Sequence, residues 1–208
     1  LTKLIDTKNR YLDLLREKRL SNMQDLITKG LSSSNRTKQS GFRWFGNIPS
    51  DWIVTKAKYV SEIFIPQRRK PILNSKGLGY PWLTINSILN DFSMCSRLWV
   101  SEEEVKESKA RVLPRRSVIA SCIGRFSLSS VIKVDSVINQ QLQAYIPFDN
   151  IDPSYLANII SISSDYFKSI CTVSTVPYVN QNGFKNLPII LPSKAEQIMI
   201  AKAIDKLL

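Results

Sequence analysis

The chain has 208 residues, 43% of them hydrophobic, and carries 29 Lys and Arg against 17 Asp and Glu, a formal net charge of +12, with no histidine. That length supports one sizeable core with room for an appended element, and the missing histidine removes the commonest general base and metal ligand. No stretch approaches the roughly 18 uninterrupted apolar residues of a membrane span, no charged-then-apolar leader opens the chain, and no G-x-x-x-x-G-K-[ST] loop serves a nucleotide-driven motor.

Cys95, Cys122 and Cys171 are widely spaced and form no C-x-x-C, so they read as small buried hydrophobes in a reducing cytoplasm. The first residue is Leu1 rather than Met, from which a piece of a longer protein is expected. The positive charge is uneven. Residues 31 to 72 hold eight basic side chains (Arg36, Lys38, Arg43, Lys56, Lys58, Arg68, Arg69, Lys70) and two acids (Asp51, Glu62), a local surplus of six. Such a field attracts a polyanion, either nucleic acid or an anionic membrane surface. No basic helix with a Trp/Phe/Leu face occurs there, which argues against the membrane.

Residues 1 to 29 read as one long helix, because Leu1, Leu4, Ile5, Leu12, Leu15, Met23, Leu26 and Ile27 recur at helical spacing and Gly30 stands where a left-handed stop belongs. Leu1, Ile5, Leu12, Leu15 and Leu26 form a heptad-like stripe interrupted by Lys8, Arg19 and Asn22, the pattern of an imperfect seam for a partner helix. A polar, basic linker, LSSSNRTKQSG, follows. Trp44, Phe45, Ile48 and Trp52 then cluster around a Pro-Ser-Asp turn, as a packed opening of a domain.

GYPWLTINSI predicts a strand leading into a loop, and SVIASC, SSVIKV and LQAYI predict a meander of three strands. DPSYLANIIS predicts a helix with Asp152 as N-cap, and DYFKSI a second short helix. Near the end, Ser193 and Glu196 form S-K-A-E, a reciprocal capping box opening another helix, whose apolar stripe starts with Ala195, Ile198, Ala201 and Ile204. The expected fold is α+β: a mixed domain of short strands and small helices between two helices that lean away from it.

Taken in order, IPSDW, GYPWLTINSI, SVIASCIGRFSLSSVIKVDSVINQQLQAYIP, YLANIIS with DYFKSI, STVPYVNQNGFKNLPIILP and AEQIMIAKAID resemble the specificity (S) subunit of a type I restriction–modification enzyme. The resemblance implies a spacer helix over residues 1–30, a linker over 31–42, a DNA target-recognition domain over 43–192 and the start of a second, coiled-coil spacer helix over 193–208. It also implies a chain that recognises half of a bipartite site in double-stranded DNA without catalysing a reaction. Methyltransferase (modification) subunits and a restriction/translocase subunit are the implied partners. A second S half or copy would pair with the helices through Leu1, Ile5, Leu12, Leu15, Leu26, Ile198 and Ala201. S-adenosylmethionine, ATP and Mg²⁺ would belong to those partners, and no cofactor to this chain.

On that reading the DNA-facing candidates lie in loops. PQRRKP presents Gln67, Arg68, Arg69 and Lys70 between two prolines, with Lys76, Arg97 and Arg125 extending the same face. TVPYVNQNG offers Tyr178, Asn180, Gln181 and Asn182, whose amides match adenine. Asn139, Gln140 and Gln141 are assigned to half-buried structural bonding instead. Three alternatives stand beside this: a recognition domain within a fused restriction–methylation enzyme, a Mg²⁺-dependent nuclease using Asp91, Glu104 and Lys106, and a protein-interaction module with incidental charge. The Asp152–Tyr155 stretch, DPSY, echoes the D-P-P-Y of amino-methyltransferases but reads better as a helix cap.

Overall fold

A 28-residue helix, α1 (Thr2–Lys29), opens the chain, about 42 Å long at ~1.5 Å per residue. In the computed structural model, which describes residues 2–31, 36–67, 69–89, 96–126, 128–172 and 175–207, it is followed by β1 (Thr37–Gln39), β2 (Asn47–Pro49), β3 (Ile53–Lys56) and, after a 3₁₀ turn, β4 (Ser61–Phe64). Next come β5 (Tyr80–Leu83), α2 (Ile85–Leu89), β6 (Trp99–Val100), α3 (Glu102–Ser108), β7 (Val118–Ser121), β8 (Ser129–Val131), β9 (Val137–Ile138) and β10 (Leu142–Pro147). The chain closes with α4 (Pro153–Ile162), α5 (Ser164–Ile170), α6 (Gln181–Lys185), β11 (Pro188–Leu191) and α7 (Lys194–Asp205). The α+β class is as expected.

Only the last turns of α1 belong to the core. Met23, Ile27 and Thr28 are buried, whereas Leu4, Ile5, Tyr11, Leu12, Leu14, Leu15 and Leu20 stay between 45% and 62% exposed. Gly30 ends the helix at φ +77°, where a Cβ would lie 3.1 Å from Cζ2 of Trp52 and 3.0 Å from Oε1 of Glu196. A glycine therefore meets both demands, backbone sign and space.

The largest sheet is antiparallel, in the order β4-β10-β7-β8, and not the sequential meander that the three apolar runs predict. Strand β10 inserts between β4 and β7, which lie far apart in sequence, and strand periodicity carries no information on such pairing. Both faces of the sheet are covered. Val118, Ala120 and Tyr145 point into the main cluster with α1, α4 and α7, while Ile119, Leu142 and Ala144 join a second cluster with Leu83, Leu113 and Ile138. Burial on both faces explains why every residue of β7 is buried, without the alternation of a half-exposed strand.

Four further expectations are corrected. The 31–42 linker contains β1, paired with β2. The segment after β5 folds as the short helix α2 instead of a loop. Helix α7 does not lean away: it packs on α4 and α1, and Gln197, Ile200, Ala201 and Ile204 are buried. Finally, Ser193 Oγ accepts the Glu196 N–H at 3.3 Å, but the Glu196 carboxylate accepts from Nε1 of Trp52 at 3.2 Å instead of returning to the Ser193 N–H. That bond ties the start of α7 to the opening of the domain, beside the end of α1. Asp152 caps α4 as expected, accepting from the Ser154 and Tyr155 amides.

Candidate nucleic-acid interface

The strand register gathers the loops at one end of the large sheet. Phe64 faces Ala144, Ser121 faces Leu142, and Ala120 faces Ser129. The C-terminal ends of β4 and β7 therefore lie beside the N-terminal ends of β8 and β10. The segments after β4, between β7 and β8, and before β10 all emerge there. Two hydrogen bonds bring in the 176–182 segment: Gly124 N–H donates to the Pro177 carbonyl at 3.0 Å, and Val179 N–H to the Cys122 carbonyl at 2.9 Å.

Of the expected contact residues, Gln67, Arg69, Lys70 and Arg125 are exposed in these loops, and Arg68 lies outside the described residues. Lys76 and Arg97 are exposed on the smaller sheet of β6, β5 and β9. They flank one bridge, because Asn74 pairs with Trp99 and Asn74 Oδ1 accepts the Lys76 N–H at 3.0 Å. Parallel pairing sets β5 against β9, with the Asn139 N–H donating to the Leu83 carbonyl at 3.0 Å, so the end of this small sheet adjoins the 139–141 turn.

The amides of the 178–182 segment, the expected base contacts, also make local hydrogen bonds. Asn180 caps α6, its Oδ1 accepting the Gly183 N–H at 3.1 Å, and Gln181 Nε2 donates to the Ile63 carbonyl at 3.2 Å. Asn182 Oδ1 accepts from Asn186 Nδ2 at 2.9 Å. Tyr178 is half-buried and bridges to Ile123 and Thr172. Cys122, beneath this segment, is a buried thiol whose pKa burial pushes up to about 11.

Sequence reasoning missed two residues here. Arg111 lines a small cleft with Phe64, Gln67, Arg69, Trp82 and Gln140. Its guanidinium pairs with Glu62, holding that carboxylate below its ordinary range, and stands over the Phe64 ring. Gln140, assigned to half-buried bonding, is exposed, and its Nε2 donates to the Gln67 carbonyl at 2.7 Å. Neither a pairing nor a loop-to-loop bond leaves a local sequence signature; only the Arg111-to-Glu62 charge complement is visible in principle.

On the helix side, Ile5, Leu12, Leu15 and Ile198 are exposed, and Leu1 lies outside the described residues. Leu26 is half-buried against the core and Ala201 is 3% exposed, so these two serve the chain's own packing instead of a partner's. Of the nuclease set, Asp91 is outside the described residues, Glu104 is buried in α3 and Lys106 is exposed. The acidic run is explained locally: Ser101 caps α3, and Glu102, Glu103 and Glu104 fill its first turn, where the helix dipole favours negative charge. Among the described residues no group of three or more His, Cys, Asp or Glu is placed to hold a metal ion, and no helix is long and apolar enough to cross a membrane.

A family model for the type I restriction modification DNA specificity domain matches residues 49–208. The chain belongs to that family. It is 28% identical over 180 residues to the type I restriction enzyme MjaIX specificity subunit of Methanocaldococcus jannaschii, covering 79% of this chain and 41% of the relative. It is 26% identical over 132 residues to the EcoR124I/EcoR124II specificity subunit of Escherichia coli, covering 61% and 33%. Among solved structures, the HsdS subunit from Thermoanaerobacter tengcongensis shares the fold with a TM-score of 0.66 at 16% identity, over 99% of this chain and 48% of that one. The type I S subunit from M. genitalium does so with a TM-score of 0.56 at 10% identity, over 86% and 41%. The chain thus spans less than half the length of each of these relatives.

Proposed function

We propose that this chain reads one half of a bipartite target in double-stranded DNA, as part of a type I specificity subunit. The loop end of the large sheet meets the duplex. Exposed Arg69, Lys70 and Arg125, with Lys76 and Arg97 on the adjoining small sheet, meet phosphates and set register, and polar atoms of the same loops read base edges. α1 and the helix begun by α7 act as spacer helices that dock methyltransferase subunits, with the restriction/translocase subunit joining that assembly in the cytoplasm. S-adenosylmethionine, ATP and Mg²⁺ are held by those partners, and the chain itself catalyses nothing. The observation that carries this reading is the convergence of separately encoded basic loops on one end of a sheet, in a member of the DNA specificity family.

The electrostatic part is tested by binding to duplex over a salt series. Five phosphate contacts, one for each of these cations, predict that log K falls against log salt with a slope of roughly −4.5. Replacing Arg69, Lys70 and Arg125 together by alanine should reduce that slope by about 3. A slope near zero in the parent chain, or an unchanged slope in the triple variant, would reject this interface.

A further inference from the structure

We infer that Gln140 is a positioning residue for sequence discrimination: it fixes the 66–71 basic loop to the 139–141 turn, which in turn sets the places of the neighbouring loops. The inference rests on the DNA-reading function proposed above and names the device that gives its loops a common frame.

The 139–141 turn joins β9 of the small sheet to β10 of the large one. It is braced internally, with Asn139 Oδ1 accepting the Gln141 N–H at 3.2 Å and Asn139 Nδ2 donating to Gln141 Oε1 at 3.0 Å. Outward, besides a thiol contact from Cys122 Sγ to the Gln140 carbonyl at 3.5 Å, three connections matter. The Asn139 N–H donates to the Leu83 carbonyl at the end of β5, and the Gln141 carbonyl accepts the Cys122 N–H at 3.0 Å, at the end of β7. The third is the 2.7 Å bond from Gln140 Nε2 to the Gln67 carbonyl, 73 residues away in sequence. The first two use backbone atoms and survive any substitution short of proline. The third depends on one side chain.

Position matters here because base readout is geometric. A bidentate contact tolerates displacements of a few tenths of an ångström, whereas attraction to phosphates tolerates far more. The 66–71 loop has no strand partner for Gln67 among the described residues, and Pro66 and Pro71 remove two amide donors that could have tied it down. Gln140 supplies a donor from outside. Loss of that bond therefore leaves cationic attraction intact while letting the loop wander.

The test uses Gln140→Met, which keeps length and volume but cannot donate, and Gln140→Lys, which restores a donor. Without DNA, cleavage after Arg69 by an arginine-specific protease should quicken about five-fold in Gln140→Met, the usual worth of one hydrogen bond, with cleavage after Arg116 unchanged; Gln140→Lys should restore much of the protection. With DNA, the ratio of affinities for a duplex selected by the parent chain over its scrambled version should fall about five-fold or more in Gln140→Met, while its salt slope on scrambled duplex stays that of the parent. Unchanged cleavage after Arg69 would overturn the clamp. Quickened cleavage with an undiminished ratio would overturn its role in specificity and leave the DNA reading standing. A parent chain that discriminates no duplex would overturn the proposed function and this inference with it.

Discussion

Gly79 illustrates how tightly single positions are fixed near the small sheet. It sits at φ +95°, and a Cβ there would lie 2.1 Å from the Val100 carbonyl oxygen and 2.8 Å from Cα of Ser101. Gly77 also has positive φ, at +75°, but a Cβ there meets nothing within 4 Å. Gly79→Ala should therefore cost about 3 kcal/mol or more, from backbone strain and collision together, and Gly77→Ala only about 1 kcal/mol; urea unfolding compares them, and equal costs would refute the collision. Buried hydroxyls give a second prediction. Tyr145, Tyr155 and Tyr166 donate to the carbonyls of Phe184, Ile190 and Gly183. Burial raises all three, Tyr166 to about 12. Because the folded state holds them neutral, their stabilisation is complete below the ordinary tyrosine value of ~10 and is lost as the pH rises above it. The share of tyrosinate absorbance that belongs to these three rings should thus appear only together with loss of helical circular dichroism, as the pH rises above about 10; titration of all tyrosines with the fold intact would contradict it. At this scale the exposure of charge was legible in the sequence and the local partners of the amides were not. Arg69 and Arg125 are exposed where loop chemistry places them, but Asn180 reads identically as a base contact and as a helix cap, and only the fold distinguishes these.

The elements divide by whether local rules suffice. α1, α4 and α5 follow from apolar spacing, Gly30 and the Asp152 cap, because a helix is specified within its own turns. The insertion of β10 between distant strands and the docking of α7 on α4 depend on contacts remote in sequence. α1 itself has two parts with opposite behaviour. Ile27 is fully buried, and Ile27→Ala should cost about 2–5 kcal/mol in thermal or urea unfolding. Leu12 is exposed on the outer stretch, and Leu12→Ser should change the stability of the isolated chain by less than about 0.5 kcal/mol. On the proposed function it should nevertheless weaken pairing with a partner helix, read by light scattering. Leu4 and Tyr11 adjoin Ile5 and Leu12 on the helix and widen the exposed apolar face beyond a single a/d seam. An outer stretch in which Leu12→Ser unfolds the chain would instead make α1 ordinary core.

For the molecule as a whole, the surplus of positive charge is arranged by topology. Arg69 and Lys70 lie more than fifty positions from Arg125, yet antiparallel pairing of β4, β10 and β7 delivers them to one end. Composition predicts attraction to a polyanion; the register of the sheet gives that attraction a place. The family's fold was legible because its short motifs occur in order along the chain, whereas the loop-to-loop bonds that shape the loop end of the sheet were not. The central claim is that this end distinguishes one short duplex sequence from others. Repeated selection from a random duplex pool by this chain, at moderate salt, tests it most directly: recovered DNA should converge on one short motif, and a pool that stays random after the final round would contradict the account.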